Sequence, residues 1–339
     1  MNKSSEPVAE TTVIETVEMH TGGEPVRIVV SGYPEIPGAT ILAKRRHARE
    51  HLDRYRKLVM FEPRGHYDMY GVLPVKPDLP GADLAVLFIH NEGYSTMCGH
   101  ATIALGRWAV DTGRVARSAG ETRVAIQCPC GLVEARVSDD GSVKFSSVPA
   151  FAFALDAKVE VPGLGAVTLD IGYGGAYYAF LAASRFNLDV KRSATRDLVD
   201  AADKVTRAAK AQVKLDHPDD ADLAFLYGTI LTDGKDAYSA EPTANICVFA
   251  EREVDRSPTG SGVTARIALQ HARKQISVGQ ERKFESVTGA IFSGKALRET
   301  KTGRFDAVIV EVGGKAHYTG SARFTLEQGD EIGRGFLLR

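Results

Sequence analysis

Short apolar or alternating runs, punctuated by Gly, Pro, Asn and Asp, recur along the chain and predict a strand-rich fold. Residues 26–30, 83–90, 123–128, 132–137, 167–171, 224–231, 246–250 and 306–312 read as strands. Four stretches carry a helical period instead. Residues 41–60 set Ala48, Leu52, Tyr55 and Val59 on one stripe, and residues 193–213 are charged and Ala-rich, as suits a surface helix. Residues 99–110 (GHATIALGRWAV) and 261–272 (SGVTARIALQHA) are apolar round most of their circumference and entered through glycine. A helix of that kind belongs inside a domain, wrapped by other elements.

The segments that lead into these two helices are alike. Thr96-Met97-Cys98-Gly99-His100 and Ser257-Pro258-Thr259-Gly260-Ser261 each put a small nucleophilic side chain just before glycine. Cys98 and Thr259 lie 161 residues apart, close to half the chain, and Ala104 and Ala265 keep the same offset. The pattern implies an α/β chain of two similar halves, each a sheet wrapped round a central helix whose N-terminus opens on a shared cleft. The Gly/Pro-rich stretch 149–163 is the expected crossing point; a single mixed-sheet domain is the alternative. The halves are expected over 12–152, completed by 325–339, and over 153–324.

Composition narrows the partners. With 42 basic and 43 acidic residues among 339, and no basic block, the chain lacks the charge excess expected of a nucleic-acid or anionic-membrane binder. Small molecules become the expected partners. Four cysteines (Cys98, Cys128, Cys130 and Cys247) are too few and scattered for a disulfide scaffold or a paired zinc site. No apolar run reaches the roughly 18–20 residues that span a bilayer, and the polar first twelve residues lack a signal-peptide core, so a cytoplasmic protein is expected.

Cys98 precedes a helix whose free N–H groups and positive dipole end favour an anion, which predicts a lowered thiol pKa. A thiolate there can serve as base or nucleophile, and the same amides can hold a carboxylate. Two such helix starts across one cleft would cradle one carboxylate, with Cys98 and Thr259 on opposite faces of the ligand. The competing reading is a buried, inert cysteine.

Four ordered motifs resemble the proline racemase family: His20-Thr21-Gly22-Gly23-Glu24-Pro25, Glu62-Pro63-Arg64-Gly65-His66-Tyr67-Asp68-Met69-Tyr70-Gly71, Met97-Cys98-Gly99-His100 and Asp255-Arg256-Ser257-Pro258-Thr259-Gly260-Ser261-Gly262. The resemblance covers residue 12 to the C-terminus. It implies a cofactor-independent fold like that of diaminopimelate epimerase, with no metal, an imino acid as ligand and, at family level, a homodimer. Cys98 matches the first catalytic cysteine, Gly99 and His100 the amides after it, and His100 and Asp255 the side chains that hold the ring nitrogen. Gly260, Ser261 and Gly262 match the second amide cradle; Tyr70 and Phe249 fall at aromatic pocket positions. His20 and Glu24 have no assigned chemistry, and a turn-building role is expected.

Thr259 departs from the racemases, which have a second cysteine there because inversion needs an acid/base on each face of Cα. A hydroxyl is poorly matched to that task near neutral pH. The Cys/Thr pair resembles instead the family's trans-3-hydroxy-L-proline dehydratases. In trans-3-hydroxyproline the hydroxyl shares a ring face with the Cα hydrogen, so one acid/base suffices for both. A proline or 4-hydroxyproline isomerase and a non-catalytic imino-acid-binding protein are the alternatives; a cysteine hydrolase lacks a third residue to orient a histidine.

Other signals carry less. His47-Ala48-Arg49-Glu50-His51 fits an inverted zinc-peptidase pattern, yet 44–57 is dense in charge and reads as a solvated helix face. Cys128-Pro129-Cys130 is a strained spacing for a disulfide and belongs to a turn. Cys247 reads as core, and His66, His90, His217, His271 and His317 have no partner evident in sequence.

Overall fold

The computed structural model describes residues 11–338; the polar segment before them lies outside the described residues. Seventeen strands hydrogen-bond in one continuous sheet that closes on itself twice. In the first ring Thr12–Thr21 pairs with Glu24–Ser31, which runs parallel to Tyr70–Val75; Leu84–His90 follows, then Glu121–Cys128, Gly131–Ser138 and Ser142–Ser146. In the second, Ala150–Val161, Gly165–Tyr173 and Tyr177–Ala182 lead by a parallel step to Leu226–Thr232, then Thr243–Phe249, Glu281–Glu285 and Ile291–Thr302.

One 22-residue strand, Phe305–Leu326, closes both rings. Its first part pairs with Ile291–Thr302 and, at Ala307 and Val308, with Phe151 and Ala150. Its second part pairs with Ser142–Ser146 from Glu311 and with Thr12–Thr21 as far as Leu326. From Glu311 the strand pairs with the first ring as well, so a single twisted strand passes from one ring into the other.

Five α-helices accompany this sheet among the described residues. α1 (Ile41–His51) and α2 (Asp53–Met60) replace the single helix expected over 41–60. The break falls at Leu52, where Asp53 starts a new first turn by binding Arg56 Nε at 2.6 Å and Nη2 at 2.9 Å. This charged segment is not simply a solvated face. Arg45 and Arg56 are buried and donate to the carbonyls of Tyr94, His90 and Asn91, tying down the loop that leads to Cys98.

α3 (Gly99–Asp111) threads the first ring and is buried along nearly all its length, including Trp108. α4 (Thr195–Gln212) lies outside the second ring with Leu198, Ala202, Val205 and Ala209 turned inward. α5 (Gly260–Ala272) threads the second ring, buried from Gly260 through Gln270. Both central helices are all-round apolar, as their sequences require. From the strand before the outer helical segment onward the order of elements repeats: strand, outer helical segment, three strands, central helix, three strands, with parallel joins at the same two places. No helix among the described residues is long and apolar enough to cross a membrane.

Candidate active site

The two central helices meet nose to nose. A Cβ on Gly99 would lie 2.4 Å from Gly260 Cα, and one on Gly260 2.6 Å from Gly99 Cα, so only glycine permits the approach. Around this contact lies a small cavity of about 10 Å³, bordered by both halves. Cys98, Gly99, His100 and Tyr70 line it from the first half, and Asp255, Thr259, Gly260, Ser261 and Phe249 from the second. Gly262, expected in the second amide cradle, sits one step deeper against Ile230 and does not line it.

Cys98 is the N-cap of α3, its sulfur accepting from Ala101 N–H at 3.4 Å. Sγ lies 3.1 Å from His100 Nδ1, which is 3.9 Å from Asp255 Oδ2. The expected lowering of the thiol pKa is overturned here. Burial pushes the Cys98 thiol well up; the Ala101 amide opposes this, while the negative charges of Asp255 and Glu24 add to the rise. Desolvation of a lone anion outweighs a helix end when no cation stands nearby. Burial likewise lowers His100, against the pull of Asp255, so the pair rests as thiol and neutral imidazole.

The second helix start is held by a chain of local bonds. Asp255 Oδ1 accepts from Ser257 N–H at 2.7 Å, and Ser257 Oγ from Thr259 N–H at 3.1 Å. Thr259 adopts φ 66° and ψ 90°, a left-handed conformation costly for a β-branched residue, and its buried hydroxyl has no partner. Glu24 is fully buried and takes Arg256 N–H at 2.7 Å, bracing the 255–257 segment from the other half. Gly22 and Gly23, both at positive φ, make the turn before it, and Gly23 N–H donates to His20 Nδ1 at 3.2 Å. His20 and Glu24 thus build the turn and the bridge.

Sequence reasoning missed Met97, Tyr178, Tyr227 and Cys247, all of which line the cavity. A tyrosine or cysteine in an apolar strand looks like core, and these are core and wall at once. It also missed the partner of His90: Nδ1 lies 3.0 Å from Glu253 Oε1, both side chains buried, across 163 residues of sequence. Among the described residues no three His, Cys, Asp or Glu side chains are grouped to hold a metal ion. His47 and His51 stand with ring centroids 4.7 Å apart, while Glu50 faces Arg49 at 3.5 Å.

Residues 16–337 match the family model described as proline racemase. The chain is 61% identical over 338 residues to a trans-3-hydroxy-L-proline dehydratase from Homo sapiens, covering 97% of this chain and 96% of that one. It is 46% identical over 331 residues to a 3-hydroxyproline 2-epimerase from Burkholderia multivorans, covering 96% and 98%. Among solved structures, a "probable proline racemase" from Agrobacterium radiobacter with bound carbonate superposes with a TM-score of 0.90 at 26% identity, over 96% of each chain.

Proposed function

The chain belongs to the proline racemase family, and within it we propose that this protein is a hydro-lyase that converts trans-3-hydroxy-L-proline to Δ1-pyrroline-2-carboxylate. The observation that carries this reading is that Cys98 and Thr259, at the starts of the two central helices, line one small cavity. One face presents a thiol with an imidazole beside it, and the other presents a hydroxyl too weakly acidic to deliver a proton near neutral pH. Inversion at Cα lacks its second acid, whereas loss of water from one face does not need it. The human relative's activity agrees with this choice.

The substrate carboxylate sits between the two helix starts, where first-turn N–H groups have no intrahelical partner. Its ring ammonium lies against Asp255, whose Oδ2 is left over after Oδ1 holds the Ser257 amide. That cation supplies the positive charge the pocket lacks, so Cys98 ionises on binding, its proton passing to His100 Nδ1. The Cys98 thiolate then removes the Cα proton. Charge that grows on the carboxylate is stabilised by the helix amides. The hydroxyl leaves as water from the same face, and the resulting enamine tautomerises to the imine.

Separate incubations with trans-3-hydroxy-L-proline, trans-4-hydroxy-L-proline and L-proline in D2O test the reading. Pyrroline is expected from the first alone, with no Cα deuterium in the other two. The rival reading, epimerisation, draws on the 46% identical Burkholderia relative. Recovery of Cα-deuterated, inverted hydroxyproline without pyrroline would establish it instead.

A further inference from the structure

Tyr227 is the second residue of Leu226–Thr232, the strand that follows the outer helix of the second half; Tyr70 opens the corresponding strand of the first. Its ring is clamped on three sides. Phe249 stacks on it at 5.2 Å, and Tyr178 and His90 meet it edge-on at 5.8 and 5.7 Å. Glu253 in turn fixes His90.

The hydroxyls of Tyr227 and Tyr70 are both buried in walls of the cavity that holds Cys98, and neither makes a well-formed hydrogen bond, with Ser95 near both and Cys98 near Tyr70. Tyr178 differs, since its hydroxyl is engaged with Ser261 Oγ at 2.8 Å. Phenylalanine would fill the same space without stranding a hydroxyl, which costs roughly 1–3 kcal/mol when buried unpaired. A proline ring offers such donors nothing; a hydroxylated ring does.

We propose that Tyr227, with Tyr70 beside it, forms the subsite for the substrate's 3-hydroxyl and stabilises that oxygen as it departs. The assignment rests on the dehydratase reading, in which the leaving group faces Cys98. The Cα–H electron pair becomes the ring double bond, the carbon–oxygen pair leaves on oxygen, and the proton held by Cys98 passes to that oxygen, so water departs and the thiolate is restored. Tyr227 keeps its own proton and donates a hydrogen bond throughout. Burial, reinforced by neighbouring Tyr178 and Glu253, keeps the phenol protonated.

The test is Tyr227→Phe, with Tyr70→Phe beside it. For the Tyr227 variant, kcat/KM for trans-3-hydroxy-L-proline should fall by about 10- to 100-fold, the range for losing one hydrogen bond to a departing oxygen. Two further readouts separate this role from a structural one. Pyrrole-2-carboxylate, planar and lacking a hydroxyl, should protect Cys98 from alkylation equally well in the variant and the wild type. In D2O, deuterium should enter unreacted substrate at Cα, because proton removal continues while carbon–oxygen cleavage lags. Unchanged kcat/KM in Tyr227→Phe overturns the proposal, as does loss of pyrrole-2-carboxylate protection, which would make Tyr227 a shaper of the pocket. If the wild type itself yields no pyrroline, the dehydratase reading has failed; if it does and only the variant result disagrees, that reading stands and the subsite is wrong.

Discussion

Cys98 and Thr259 occupy equivalent helix starts yet are chemically unequal. Cys98→Ala removes the only thiol beside His100, and a loss of about 10²–10⁴-fold in pyrroline formation is expected; substantial retained activity would sink the assignment. Thr259→Cys should restore an acid to the second face and allow solvent deuterium into Cα of proline or hydroxyproline with inversion, followed by NMR. A folded variant that exchanges nothing would contradict the two-face geometry. The raised thiol gives a third expectation. Burial raises Cys98 and lowers His100, so the free pair holds one proton across neutral pH, and that proton only moves from sulfur to imidazole on binding; kcat/KM should therefore stay level from about pH 7 to 9 and fall in acid as His100 protonates. A kcat/KM profile that climbs steadily through pH 9 would show instead that the thiol loses its proton to solvent before substrate binds.

Among the elements, α3 and α5 bear on each other through Gly99 and Gly260 with no side chain between them. Gly260→Ala forces the helix starts apart, and overpacking of this kind costs roughly 1–3 kcal/mol, a Tm fall of about 2–10 °C. Activity should drop with it, since the two sets of amides no longer converge. Gly93→Ala, with open space where its Cβ would go, is the control expected to leave both unchanged in a thermal melt and a rate assay. These helices were the most legible part of the chain. An all-round apolar composition, a glycine entry and a nucleophilic residue before it place Cys98 and Thr259 from sequence alone. What escaped reading was what reaches them from a distance: Arg45 and Arg56 beneath the 90–95 loop, Glu24 on the Arg256 amide, and His90 on Glu253. Each is a polar side chain buried by a partner remote in sequence, and local pattern assigns such residues to the surface.

In the whole molecule, Phe305–Leu326 belongs to both rings, so neither half closes without it. Thermal unfolding should therefore be a single transition. Trp108, the one tryptophan, sits inside the first ring and reports that half. Its fluorescence and far-UV circular dichroism should trace the same curve; a Trp108 transition displaced from the rest would show independently stable halves. The duplicated plan was legible in the spacing of two helix starts. The shared strand was not, because only its first few residues, 306–312, form a plain apolar run, while the remainder alternates with exposed glycine, threonine and serine. At about 10 Å³ the cavity between the rings is too narrow for a five-membered ring as it stands. The helix starts and aromatic walls around it have to shift for substrate to enter, and a turnover rate that falls as solvent viscosity rises would show that this opening, and not the proton transfer, sets the pace.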